Sequence, residues 1–115
     1  MNVTKYTQKS IEAVNGCEKI ALEYGNQEIE QEHLLLSLLT IEDSLIRKLI
    51  EKMGIDVAAF ENRARDAVAK RVKVQGGKQY VGEQLNRVLV EAEDVANRMG
   101  DEYVSVEHLF LMLLN

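Results

Sequence analysis

An all-α fold follows from three features of the sequence. Apolar residues recur three or four positions apart over most of the chain, the period of an amphipathic helix. The seven glycines fall mostly between those periodic stretches, where they can end helices. Proline is absent and the alternation of β-branched residues expected of strands is scarce. The chain has 115 residues and 13.0 kDa, the size of one domain with one core. With 46% apolar and 29% charged residues, it is neither a disordered tail nor a membrane protein. Lysine and arginine number 14 against 19 acidic residues, and the net charge of −5 argues against a dedicated nucleic-acid binder. The single Cys17 forbids an internal disulfide and fits a reducing compartment. No apolar run approaches 18 residues and no signal-peptide pattern is present, so the expected location is the cytoplasm.

The first helix is expected from an N-cap at Thr7 to Tyr24, with Ile11, Val14, Cys17, Ala21 and Tyr24 forming its apolar stripe. Gly25 supplies the left-handed stop. Gly16, inside this helix, costs about 1 kcal/mol relative to alanine and points to close helix packing. The second helix, Gln31 to Thr40, is apolar nearly all round and is the expected central helix. The third, Ser44 to Met53, is expected to turn Leu45, Ile46, Leu49 and Ile50 inward and to stop at Gly54. Asp56 caps the fourth, with Phe60, Ala64, Ala67 and Val68 at helical spacing. Val72 to Val81 breaks the pattern, contains Gly76-Gly77 and reads as a mobile connector. The fifth helix, Glu83 to Met99, presents Leu85, Val88, Leu89, Ala92, Val95 and Met99 on one side and ends at Gly100. A sixth follows the N-cap Ser105.

The two halves resemble each other at an offset of 75 residues. Gly25 matches Gly100, Ile29 matches Val104, and Glu32-His33-Leu34 matches Glu107-His108-Leu109. Leu36, Leu38 and Leu39 match Leu111, Leu113 and Leu114. Internal duplication explains this, and such copies commonly pack about a pseudo-twofold axis. The expected organisation is repeat one at 1–71, a connector at 72–81 and a partial repeat two at 82–115. The second repeat is expected to be truncated after its second helix, leaving apolar surface of the fifth and sixth helices uncovered.

Two copies of Gly-x-x-x-Ile/Val-x-x-Glu-His-Leu-x-Leu, carried by Tyr24–Gln27 and Gly100–Leu109, resemble the N-terminal domain of the Clp AAA+ unfoldases over essentially the whole chain. Leu45 to Asp56 and the connector Lys73–Gly77 are more similar to the ClpB disaggregase branch, with the protease-feeding ClpC branch the near alternative. The resemblance implies a double four-helix repeat. It also implies a recognition domain, mobile above an ATP-driven ring, that captures unfolded or aggregated polypeptides or adaptor proteins. The parent would be a homo-hexamer, with ATP and magnesium bound in downstream domains and no cofactor in this segment. Accordingly, no phosphate-binding Gly-x-x-x-x-Gly-Lys-Ser/Thr loop occurs, and Gly76-Gly77-Lys78 lacks the spacing and the hydroxyl to replace one.

The Glu-His pairs also invite a metal or acid–base reading. Adjacent helical residues point about 100° apart, and no His-Glu-x-x-His spacing is present. The bland reading places Glu32 and Glu107 in first helical turns, favoured by the macrodipole, and packs His33 and His108 with hydrogen bonds. The functional reading pairs the glutamates with guanidinium or ammonium groups of a substrate. In the ClpC branch, glutamates at these positions help read phosphorylated arginine, with helix N-termini at Thr7 and Gly82 facing the phosphate. Gly82 lacks the hydroxyl that Thr7 supplies, a departure at the second pocket. In the ClpB branch, positions matching Thr7, Asp101 and Glu107 are associated with substrate handling, and Val95, His108 and Leu109 lie where the groove is expected. Bland alternatives are an N-cap for Thr7, a solvating charge for Asp101 and ordinary core for Val95 and Leu109. The basic run from Arg63 to Lys78 has no aromatic ring before Tyr80 and reads as a solvated face rather than a nucleic-acid patch. A free-standing oligomerising scaffold is the rival from another class. A small enzyme is disfavoured because Cys17 is expected to be buried and both histidines begin helices.

Overall fold

The computed structural model describes residues 4–115. Six helices account for most of them: α1 (Gln8–Glu23), α2 (Gln31–Thr40), α3 (Leu45–Lys52), α4 (Val57–Ala69), α5 (Glu83–Arg98) and α6 (Val106–Leu113). Local chemistry sets their ends. Thr7, Ser44, Asp56 and Ser105 each accept, through a side-chain oxygen, the N–H of the third helical residue. Gly25, Gly54 and Gly100 follow the C-caps of α1, α3 and α5 with φ of 73°, 79° and 75°, a region closed to most side chains.

Helix α2 is the centre of the molecule and touches each of the other helices. Its Leu34, Leu36, Leu38 and Leu39 are all within 1% of full burial. Helix α1 packs on it so closely that a Cβ at Gly16 would lie 2.3 Å from Ser37 Oγ. That hydroxyl donates to Ala13 O at 2.6 Å, so the contact is polar as well as tight.

The two repeats interlock through main-chain pairing. A two-residue strand β1 (Glu28–Ile29) runs parallel to β2 (Tyr80–Val81), and Gly82 N–H donates to Ile29 O at 2.8 Å. Seventy-five residues away the same contact recurs with the repeats exchanged: Tyr6 bridges Val104, and Thr7 N–H donates to Val104 O at 3.0 Å. Each repeat thus hydrogen-bonds the loop before its Glu-His helix to the entry of the other repeat's first helix, which is the pseudo-twofold relation in hydrogen bonds.

Three local expectations change. Helix α3 buries Ile46 and Ile50 but leaves Leu45 and Leu49 at 42% and 37% exposure. An eight-residue helix resting on one i, i+4 pair turns the neighbouring positions about 100° away. Met99 likewise faces solvent at the end of α5. The connector is docked rather than detached: Val74 N–H donates to Gly25 O, Asn26 Nδ2 donates to Val72 O, and its last two residues form β2.

The repeats differ in what covers them. Leu36 and Leu39 are 1% exposed, whereas their counterparts Leu111 and Leu114 are 45% and 64% exposed.

Gly16→Ala is expected to destabilise the domain by about 1–2 kcal/mol, because overpacking outweighs the propensity gained. Urea denaturation of Gly16→Ala, Ser37→Ala and the double variant checks this. The double variant should lose clearly less than the sum of the two.

Candidate functional site

Four of the eight sequence-derived candidates, Thr7, Asp101, Glu107 and His108, lie where the two repeats meet, near the N-termini of α1 and α6. Thr7 caps α1, accepting from Ser10 N–H at 3.2 Å and donating to Ser10 Oγ at 2.9 Å. It lines a cleft of about 340 Å³ together with Ser105, Val106 and Glu107 from α6 and its cap. The opposite wall is apolar and comes from repeat one: Leu38, Ile41, Leu45 and Ile46. The exposure of Leu45 that periodicity did not foresee is therefore part of this cleft. Glu107 stands on its rim, exposed, and makes no ion pair with any described residue. It also borders a second depression with Met99, Asp101, Tyr103, His108 and Leu111.

The histidines serve the backbone. His33 Nδ1 accepts Glu30 N–H and His108 Nδ1 accepts Ser105 N–H, each at 2.9 Å. Accepting at Nδ1 places the proton of the neutral ring on Nε2. Nε2 then donates to Asn26 Oδ1 in repeat one and to Asp101 Oδ2 in repeat two, both at 2.9 Å. Each ring ties its helix entry to the loop seven residues upstream. Asp101 is thus an exposed carboxylate anchored by a buried histidine. No cluster of three or more potential metal ligands occurs among the described residues.

Leu109 is fully buried in the core, and Val95 is partly buried against it. Neither lines either depression beside Glu107. Cys17 is also fully buried, its Sγ donating to Val14 O, and burial pushes the thiol up to about 12. It holds no thiolate near neutral pH and supplies no nucleophile.

On the side related by the repeat, the same positions are filled. Gly82 caps α5 with φ −71°, a value any residue adopts, so its glycine answers to space rather than to conformation. A Cβ there would meet the Glu30 carboxyl carbon at 2.4 Å. Glu30, a buried residue from the first repeat, accepts from Leu85 N–H at 2.7 Å and Gln84 N–H at 3.4 Å. Leu85 N–H is the counterpart of Ser10 N–H, so the cap that Thr7 gives its own helix reaches α5 from the other repeat. A carboxylate there also meets the positive end of the helix dipole. Glu32, the counterpart of Glu107, pairs with Arg71 at 2.8 Å, and the same guanidinium reaches Glu28 at 2.5 Å. Sequence reasoning missed both Glu30 and Arg71. Glu30 is offset-matched to Ser105, and nothing in the local pattern of either residue foretells a partner more than 35 residues away.

Burial, and secondarily the Arg71 charge, hold His33 below its ordinary pKa, against the opposing effects of Glu32, the Glu30 backbone and Glu28. The unfolded chain therefore takes up a proton at His33 near pH 6.5 that the folded domain still refuses. Stability contributed by neutral His33 is intact above that pH and is lost as pH falls below it, toward the lower folded value. The urea midpoint should decline from pH 7.5 to pH 5.5. In His33→Gln, less stable throughout, the decline over that interval should be shallower.

Residues 5–115 match the Clp repeat (R) N-terminal domain. The chaperone protein ClpB of Nitratidesulfovibrio vulgaris is 40% identical over 119 residues, which covers 99% of this chain and 14% of that protein. ClpB of Porphyromonas gingivalis is 38% identical over 114 residues, covering 99% of this chain and 13% of its own length. The chain therefore spans about one seventh of these relatives. Among solved structures, the Hsp104 N-terminal domain from Candida albicans superposes with a TM-score of 0.89 at 19% identity, covering 96% of this chain and 74% of that one. The N-terminal domain of the ClpV1 ATPase from E. coli gives 0.86 at 22% identity, with 95% and 67% covered. These structural likenesses show the fold.

Proposed function

The chain belongs to the Clp repeat N-terminal domain family, and we propose that it serves a Clp-type chaperone as its polypeptide-recognition domain. In this reading the cleft between Thr7 and Glu107 receives cationic and apolar side chains of unfolded or aggregated protein. The observation that carries it is the cleft itself: an apolar wall beside an exposed carboxylate that no described side chain neutralises. An apolar wall rewards burial of nonpolar side chains, and the carboxylate selects segments bearing arginine or lysine. Asp43 also lines this cleft, and Asp101 and Glu102 line the neighbouring depression; Lys9, the cation on the cleft, is held by Glu12 and by Glu42 O. A shallow site of this kind binds weakly and with little sequence preference, as capture of many clients requires.

The similarity to ClpB favours the disaggregase branch as the parent, with ATP hydrolysis and the hexameric ring belonging to other parts of a longer cytoplasmic protein. One structural neighbour, described as a peptide from the EAEC T6SS Sci1 SciI protein, is in keeping with a peptide-binding role for this fold. The ClpC-type phosphoarginine reading is weakened at one of its two pockets, because the Glu30 carboxylate occupies the α5 N-terminus where a phosphate would lie.

Fluorescence anisotropy of a labelled, permanently unfolded polypeptide tests the proposal. Glu107→Gln is expected to weaken binding about three- to tenfold, a loss of roughly 0.7–1.4 kcal/mol. Added salt should weaken the wild type more than the variant. Glu32→Gln, whose carboxylate already serves Arg71, should change binding little. Equal binding by wild type and Glu107→Gln overturns this assignment of the site. Tighter binding of a phosphoarginine-bearing chain, lost in both variants, moves the reading to the protease-feeding branch.

A further inference from the structure

The internal repeat supplies its own comparison. Position 32 and position 107 are equivalent, as are 28 and 103, 30 and 105, and 82 and 7. On one side a guanidinium sits on Glu28 and Glu32, at 2.5 and 2.8 Å, and a carboxylate sits on the amides of α5. On the other side the corresponding residues are Tyr103, Glu107 and Ser105, and no described cation pairs with Glu107. We propose that Arg71 is a tethered occupant of a guanidinium seat formed by Glu28 and Glu32, so that the connector strap holds this seat closed to arginine side chains of other polypeptides.

Three features support a strap rather than an incidental surface pair. Arg71 is the residue at which α4 gives way to the connector, its N–H still bonded to Val68 O at 3.1 Å. The next residues are fastened along the loop that carries the seat, through Asn26 Nδ2 to Val72 O and Val74 N–H to Gly25 O. The guanidinium engages two carboxylates through two different nitrogens, and the Arg71 side chain is only 23% exposed. Forked pairing of that kind discriminates arginine from lysine. The strap competes intramolecularly, so an incoming arginine faces an effective concentration far above its own. With Glu30 already on the α5 amides, both charges that a bound ligand could bring to this side come from the chain itself.

The inference shares with the proposed function the premise that these carboxylates take cationic side chains, but its test does not need Glu107 to bind anything. Acetyl-arginine amide is titrated into wild type and Arg71→Gln while backbone amide resonances are followed, with acetyl-lysine amide for comparison. In wild type, residues 28–32 should not respond at millimolar ligand. In Arg71→Gln they should shift saturably, at least fivefold more tightly for the arginine compound than for the lysine one. Arg71→Lys keeps a charge but loses the fork, and it serves if Arg71→Gln does not fold. It should open the seat partially, with a response between those of wild type and Arg71→Gln. A variant that responds at residues 28–32 no more than wild type overturns the proposal, as does a wild type that already responds there. Silence at residues 103–107 in every protein counts against the Glu107 site alone.

Discussion

The molecule depends on one reciprocal constraint: each repeat completes the entry of the other repeat's first helix. Ile29 O receives Gly82 N–H, and Val104 O receives Thr7 N–H. These are main-chain bonds, so they fix position without regard to side-chain identity. They place two helix N-termini beside two glutamate-bearing helix starts, which brings Thr7 next to Glu107 in one cleft. The histidines tighten the same constraint, because each spans from its helix entry to the loop that makes the exchange. Symmetry of the backbone and divergence of the side chains then give two related faces with opposite fates. One face is neutralised from within by Arg71 and Glu30, and the other presents its charge to solvent.

Much of this was legible in the sequence, for identifiable reasons. Glycine stops, hydroxyl and aspartate caps and the 3.6-residue period are local signals, and they place the starts of all six helices and the ends of α1, α2, α3 and α5 to within a residue or two. The duplication was legible because the Gly, Ile/Val and Glu-His-Leu positions recur at a constant offset. What the sequence concealed was non-local. A strand of two residues has no periodicity to read, so the exchanged pairing was invisible. Leu45 and Leu49 fit an inward stripe as well as Ile46 and Ile50 do, and only the position of the neighbouring helices decides between them. Glu30 and Arg71 act across the fold, and neither sits in a motif.

The candidate site shows the same division. The residues chosen for their match to a repeated motif converge only in part. Thr7 and Glu107 share a cleft and Asp101 and His108 share a hydrogen bond, whereas Leu109 and Val95 belong to the packing beneath. Gly82 is the counterpart of Thr7 in sequence but not in chemistry, since its missing side chain makes room for a carboxylate from elsewhere. An offset alignment therefore identifies equivalent positions, while burial and charge decide which of them can meet a partner.

The exchange of entry strands also sets an order of events during synthesis. Ser10 at the start of α1 donates to Val104 O, a partner 94 residues later in the chain. At translation rates of about 5–20 residues per second, the first helix waits roughly 5–20 s for that acceptor to be made. Until then the Tyr6–Thr7 edge is unpaired and α2 lacks the cover that α5 and α6 provide. The nascent first half is thus itself an incompletely buried polypeptide, of the kind that chaperones on the ribosome meet. The hydrogen bond that closes the entry of α1 forms only after residue 104 has been made.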